Sequence, residues 1–372
     1  MLVYVVATAL AVLFTYISVV YDKTLKDSLQ KSRYVYLKPR IDVWQKLTLY
    51  VLRVASVLPL VLVAGFRYKV GTDWGNYLRS FRSVTHGKDG HYGEKGYRFI
   101  QKFVAFFTSN YIWLFLLCAI IFAGFYFVGI YKMSINPPLS VALIVATSIY
   151  FSFLNGMRQG LAQAILFFSL RYVFKRDWKR FLIFVLLASS FHKSSLVFLI
   201  VYILYGFKID IKRIIFYIVI FGMVGLAGGQ LVKYVVMKTK YAHYYMSAFA
   251  DGGFEWLWFF ISTAILVVMC CYYENGQKSE LKGQFNVLLW MQMISVIFCL
   301  ISATVPESNR IVWMFNIGQI LSLPILISLE KDKRWRLVLL VLILGFYMLA
   351  TYIAIRGGSH RVLPYRMSFG GE

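Results

Sequence analysis

Long apolar runs separated by short polar joints set the rhythm of this chain, and that rhythm predicts helices that cross a bilayer. The runs fall at about 1–20, 45–66, 110–131, 139–155, 158–174, 212–232, 256–273, 285–303, 310–329 and 336–355. Most approach the roughly 20 residues that carry a helix across a hydrocarbon core about 30 Å thick. The runs at 139–155 and 158–174 are shorter, and the stretch 181–205 is interrupted by His192 and Lys193. The expected fold is an all-α polytopic integral membrane protein of about 11–12 transmembrane helices, forming one transmembrane domain over 1–372. The first run has no basic residue ahead of it, where a secretory signal normally has one, so it reads as a retained span.

Basic joints give an orientation. Residues 21–46 hold seven Lys or Arg, 171–180 hold five and 330–336 hold four, and such segments stay on the cytoplasmic side. The N-terminus is then outside. An even number of ordinary spans separates the second joint from the third, so 181–205 must cross twice or not at all. It reads as a short broken or re-entrant hairpin whose turn, Phe191-His192-Lys193-Ser194-Ser195, faces outward. Interrupted helices at membrane depth need protein or a wet cavity around them. The same topology puts the 67–109 loop outside, as a partly ordered extracytoplasmic cap.

Composition narrows the class. Hydrophobic residues make up 60% of the chain and charged ones 15%, whereas soluble proteins run near roughly one half and one quarter. The excess of 40 Lys and Arg over 16 Asp and Glu, a net +24, belongs in this setting to cytoplasmic loops and anionic lipid. Nucleic acid is not an expected partner. Cys118, Cys270, Cys271 and Cys299 all lie in apolar runs and read as small hydrophobes. No cofactor and no metal site is expected, and neither a Walker loop nor a dinucleotide fingerprint is present.

Candidate chemistry gathers at the outer ends of the runs. Arg158 sits at a junction with only Asn155 and Gln159 as polar company. A charge at membrane depth costs roughly 2.5–3.5 kcal/mol and usually faces a cavity or a partner; snorkelling to the surface is the alternative. Arg310 is similarly placed, with a simple helix-end cation as its plainer reading. Arg53, inside the second run, is expected to pair with a carboxylate. The 67–109 loop holds eight Lys or Arg, which is either a solvated loop or a basic funnel for an anionic substrate. Asp73, then Glu94, then His192 rank as candidate general bases. Their structural alternatives are a turn or cap residue for Asp73, an ion pair with Lys95 or Arg98 for Glu94, and an ordinary hydrogen-bonded histidine. Tyr244 and Tyr245 lie in the aromatic-rich loop 233–255, which suits sugar faces or a membrane-interface belt equally well.

Four segments in order carry a family resemblance: Arg67-Tyr68-Lys69-Val70-Gly71-Thr72-Asp73-Trp74-Gly75-Asn76-Tyr77, Glu94-Lys95-Gly96-Tyr97, Asn155-Gly156-Met157-Arg158-Gln159-Gly160-Leu161-Ala162 and Phe191-His192-Lys193-Ser194-Ser195. Together they resemble the EpsG family of Wzy-type bacterial exopolysaccharide and O-antigen polymerases. Trp74 and the tail Pro364-Tyr365-Arg366-Met367 depart from the pattern. The resemblance implies a glycosyltransferase that joins oligosaccharide repeat units carried on undecaprenyl pyrophosphate, at the outer leaflet of the bacterial inner membrane. It also implies a GT-C-like architecture by analogy, and a chain-length regulator or other assembly proteins as partners. A pyrophosphate leaving group at headgroup depth calls for cations, and arginine grips phosphate oxygens in pairs. Arg67, Arg158, Gln159, Lys193 and Arg310 are the expected pyrophosphate contacts, with Tyr77, Tyr244 and Tyr245 for sugar. Two other classes remain open: a flippase of lipid-linked sugars, though no clear internal repeat supports it, and an O-antigen ligase-type transferase.

Overall fold

The computed structural model describes residues 1–32, 42–207, 210–238, 256–302, 305 and 308–369. Among them the elements are helices throughout, with no strand beyond one isolated antiparallel bridge between Arg67 and Met367. The protein is an all-α polytopic membrane protein. Among the described residues, five helices are long and apolar enough to cross a membrane, or up to seven if each of two bent pairs makes one span. Lys193–Leu204 and Trp256–Cys271 are shorter apolar helices. The chain divides into two compact units, Met1–Phe168 with Tyr347–Glu372, and Ser169–Phe346.

The first unit holds α1 (Leu2–Ser32), α2 (Val43–Gly65), α3 (Trp74–Thr85), α4 (Lys95–Phe107), α5 (Tyr111–Met133), α6 (Pro137–Ala146), α7 (Ile149–Asn155) and the start of α8 (Met157–Phe174). α1 packs on α2 and α6, and α2 on α5. Arg53 of α2 does meet a carboxylate, Asp22 of α1, at 3.5 Å, and lies over the Tyr131 ring. The 67–109 segment is ordered as two amphipathic helices, α3 and α4, which pack on each other and on α5. Gln101 Nε2 donates to Ser80 Oγ at 3.1 Å across that pair. The signal for both helices was a buried stripe at helical spacing, Trp74, Tyr77, Phe81 and then Tyr97, Ile100, Val104.

The run 139–155 is broken rather than continuous. Asn136 caps α6 by accepting from the Leu139 N–H, with Pro137 at the first position, where its missing donor is harmless. Ser148 then takes a left-handed conformation and α7 leaves at 48° to α6. A break at such depth frees backbone carbonyls, which must find donors. Thr351 supplies one: its Oγ1 lies 2.7 Å from the Ala146 carbonyl and 3.0 Å from Ser148 Oγ.

The second unit holds α9 (Trp178–Ser189), a 3-10 segment (Lys193–Leu199), α10 (Ile200–Leu204), α11 (Ile214–Met237), α12 (Trp256–Cys271), α13 (Tyr273–Lys278), α14 (Lys282–Ile301), α15 (Asn309–Asn316), α16 (Gln319–Leu329) and most of α17 (Lys333–Arg356). The interruption at His192 and Lys193 is the turn of a hairpin: α9 folds back on the 3-10 segment, Phe181 packs with Phe198 and Tyr202, and the Tyr202 hydroxyl donates to the Arg176 carbonyl at 2.9 Å. A second bend, of 47°, separates α15 from α16.

Candidate functional site

The segment after α2 is shaped by a tight turn. Gly71 has φ +96°, and a Cβ there would sit 2.4 Å from the Leu154 carbonyl oxygen, so only glycine lets this loop lie against the end of α7. The approach puts Asn155 beside the next two residues. Its Oδ1 accepts from the Thr72 hydroxyl and, at 3.3 Å, from the Asp73 N–H. Asp73 occupies the N-cap position of α3, yet its carboxylate makes no capping bond. It receives Asn76 Nδ2 at 3.3 Å instead and is half-buried.

One turn into α3, the Tyr77 hydroxyl accepts the backbone N–H of Arg158 at 3.4 Å. Tyr77, Tyr92 and Tyr97 form a ring cluster with centroids 5.3 to 5.6 Å apart. Burial pushes the Tyr77 and Tyr92 phenols up from their ordinary value, so both keep their protons at neutral pH. Arg158 itself, in the first turn of α8, lies over the Tyr92 ring at 4.0 Å, and its Nη1 meets Glu94 Oε1 at 2.5 Å. Both side chains of that pair are about four-fifths buried, at 22% and 16% exposure. Glu94 holds the N-cap position of α4, again without a capping bond. Of the expected partners of Glu94, Arg98 pairs with Asp89 instead. Gly160 lets α8 start close to α7, since a Cβ there would fall 2.8 Å from Phe153 Cβ.

Three of the four segments singled out in the sequence therefore converge in the first unit, bringing together the candidate residues Asp73, Tyr77, Glu94 and Arg158, with buried Gln159 on the same turn as Arg158. Arg67 differs from the expectation. It is fully buried, donates through Nη1 to the Ala64 carbonyl at 2.7 Å and lies over the Phe115 and Phe153 rings. Its Nε and Nη2 are buried with no hydrogen-bond partner among the described residues, so this guanidinium is enclosed where Arg158 is partly exposed. The reason lies in the tail: the Tyr68 N–H bonds the Arg366 carbonyl, the Ser368 N–H bonds the Phe66 carbonyl, and the Tyr365 hydroxyl donates to the Val63 carbonyl. Tyr365 to Ser368 close over the loop in which Arg67 lies.

His192, Lys193 and Arg310 belong to the second unit. Lys193 is exposed at the hairpin turn and His192 half-buried beside it. The turn packs on α15, the helix that opens with Asn309 and Arg310, through Phe198 on Phe315 and Ser194 on Met314. Tyr244 and Tyr245 lie outside the described residues. Sequence reasoning missed Tyr92, which supports the Arg158 guanidinium. No spacing marks it, and only the folding of the 86–94 connection onto α8 brings it there. It also missed Thr72 and the tail contacts.

Apolar helices with two bent pairs, and a largely buried arginine held between a carboxylate and a tyrosine ring, define a multi-pass membrane protein with a cation-bearing site. A model of the EpsG family matches residues 50–367, most of the chain. The chain belongs to the EpsG family, a Wzy-like polymerase family, which places it in polysaccharide biosynthesis. No curated protein and no solved structure matches it.

Proposed function

We propose that this protein is a polysaccharide polymerase that transfers a growing glycan from undecaprenyl pyrophosphate to a sugar hydroxyl of a new lipid-linked repeat unit, at the outer leaflet of the bacterial inner membrane. The observation that carries the reading is the convergence of the Arg67–Tyr77, Glu94–Tyr97 and Asn155–Ala162 segments around one largely buried Arg158–Glu94 pair.

In the proposed step the acceptor oxygen attacks the anomeric carbon as the bond from that carbon to the pyrophosphate oxygen breaks. The pyrophosphate leaves with the bonding electrons, and its developing charge falls to Arg158. Fixed cations aimed at such charge commonly contribute the most to catalysis, about 10²–10³-fold for one donor. The hydroxyl proton passes to a carboxylate. Asp73 suits that task best, because its side-chain partner is a neutral amide, whereas Glu94 is engaged with the Arg158 guanidinium. Glu94 is then a positioning residue that holds the arginine fork. Tyr77, expected as a sugar contact, is buried in the α3 stripe with its hydroxyl on the Arg158 N–H, and acts in this reading as a second positioning residue for Arg158. His192, Lys193 and Arg310 stand as separate candidates for phosphate contact, each to be tested by its own variant.

The test is incubation of purified protein with lipid pyrophosphate-linked repeat units, the wild type beside Arg158→Ala and Asp73→Asn, with products resolved by length. A ladder that both variants lose while remaining folded is the expected result. Unchanged units in the wild type, with the native substrate verified, would overturn the polymerase in favour of transport. Transfer of one finished glycan to a different acceptor would mark a ligase.

A further inference from the structure

Helix α4 presents three faces. Tyr97, Ile100, Gln101 and Val104 are buried against the rest of the first unit. Lys95, Arg98 and Lys102 make a cationic row, two of them close to the exposed Asp89. Phe99, Phe103, Phe106 and Phe107 make a third row, and all four are open, Phe106 to 83%. Cations beside an aromatic stripe on one helix are the pattern of an element lying in a membrane interface, rings in the acyl region and charges at the phosphates. Between the second half of α4 and the start of α5 runs a groove of about 510 Å³, walled by Phe103, Phe107, Trp113, Leu116, Leu117 and Ile120. Its volume lies within the roughly 300–1,000 Å³ of small-molecule sites, and its lining is almost wholly apolar.

We propose that this groove holds the isoprenyl chain of the lipid pyrophosphate substrate, with the phosphates over the cationic row of α4; the inference rests on the polymerase reading. Two features select this occupant. The first is continuity: the helix that walls the groove has Glu94, the partner of Arg158, at its N-cap position, and its 13 residues run about 20 Å at 1.5 Å each. One amphiphile can thus have its pyrophosphate near Arg158 and Lys95 and its tail at Phe107. The second is the placement of a cationic row beside the open rings of α4, with Lys95 and Arg98 near its start and Phe103, Phe106 and Phe107 near its end, which matches a phosphate head beside hydrocarbon. Three rings and branched aliphatic side chains make a broad slot that suits a methyl-branched chain of flat alkene units, whose faces lie on rings. A thin linear acyl chain fills it less well.

The test uses the full chain in phosphatidylglycerol nanodiscs with added undecaprenyl pyrophosphate. Benzoylphenylalanine replaces Phe107 in one sample and Leu10, an exposed residue of α1, in another; after irradiation, adducts are identified by mass. The ratio of polyprenyl to phospholipid adduct is expected to be about tenfold higher at 107 than at 10, and Leu117→Trp, which fills the groove, to lower it by about the same factor. Ile120→Trp serves if Leu117→Trp does not fold. Equal ratios at the two positions overturn the groove. The length-resolved polymer assay on the same preparations separates the two claims: a ladder with equal ratios removes the groove and leaves the polymerase, whereas an enriched adduct without a ladder leaves a prenyl-lipid site and removes polymerisation.

Discussion

Both compact units bury neutral amides, and they differ in buried charge. The first keeps charge: Arg158 with Glu94 over Tyr92, and Arg67 enclosed below Phe115 and Phe153. The second buries neutral amides. Gln292 Nε2 donates to the Ser262 carbonyl at 2.8 Å, Gln319 Nε2 donates to both Gln292 Oε1 and Asn316 Oδ1 at 3.1 Å, and Ser295 Oγ donates to Asn316 Oδ1 at 2.5 Å. This ladder ties α12 and α14 to the bend between α15 and α16, where a broken helix needs its polar groups satisfied. An amide ladder carries no net charge and holds a shape. A partly exposed guanidinium beside one carboxylate retains further N–H donors, so a phosphate can join it. Under the proposed function the Arg158–Glu94 pair serves chemistry and the amide ladder serves packing, and the fully buried Arg67 shows that charge without exposure does not make a site.

Mutations can break or sharpen that contrast. The largest expected effect is that of Asp73→Asn, which should slow polymer formation by about 10²–10⁴-fold, the span of general base catalysis, without lowering the melting temperature. Arg158→Ala should cost about 10²–10³-fold, with poor rescue by Arg158→Lys because a lysine lacks the paired grip on phosphate. If Glu94 acts by holding Arg158, the loss in the double variant with Glu94→Ala will be smaller than the sum of the single losses; additive losses would give Glu94 a role of its own. Gly71→Ala should destabilise the first unit by about 1–3 kcal/mol in thermal unfolding, from its positive φ and the Leu154 carbonyl in the way. Gln319→Leu should cost about 0.6–1.7 kcal/mol, the range for polar contacts between membrane helices, and leave the rate per folded molecule unchanged. A folded Gln319→Leu protein that no longer polymerises would end the distinction between the units. Smallest is Tyr365→Phe, at about 1 kcal/mol for its bond to the Val63 carbonyl.

Hydropathy determined the helical runs, because the apolar content of a segment depends on nothing outside it. The interruption at His192 and Lys193 likewise marked the hairpin turn, and the four motif segments marked the family. Local pattern also contained α3 and α4, although the charge of the 67–109 segment drew attention away from its helical stripes. Tertiary structure alone decided the partners. Nothing near Arg158 in the chain names Glu94 or Tyr92, and nothing near Arg67 indicates that the tail will close over it. Sequence shows that a buried charge must be compensated; which distant group compensates it depends on how α3, α4, α7 and the tail pack, and that choice separates the enclosed Arg67 from the accessible Arg158.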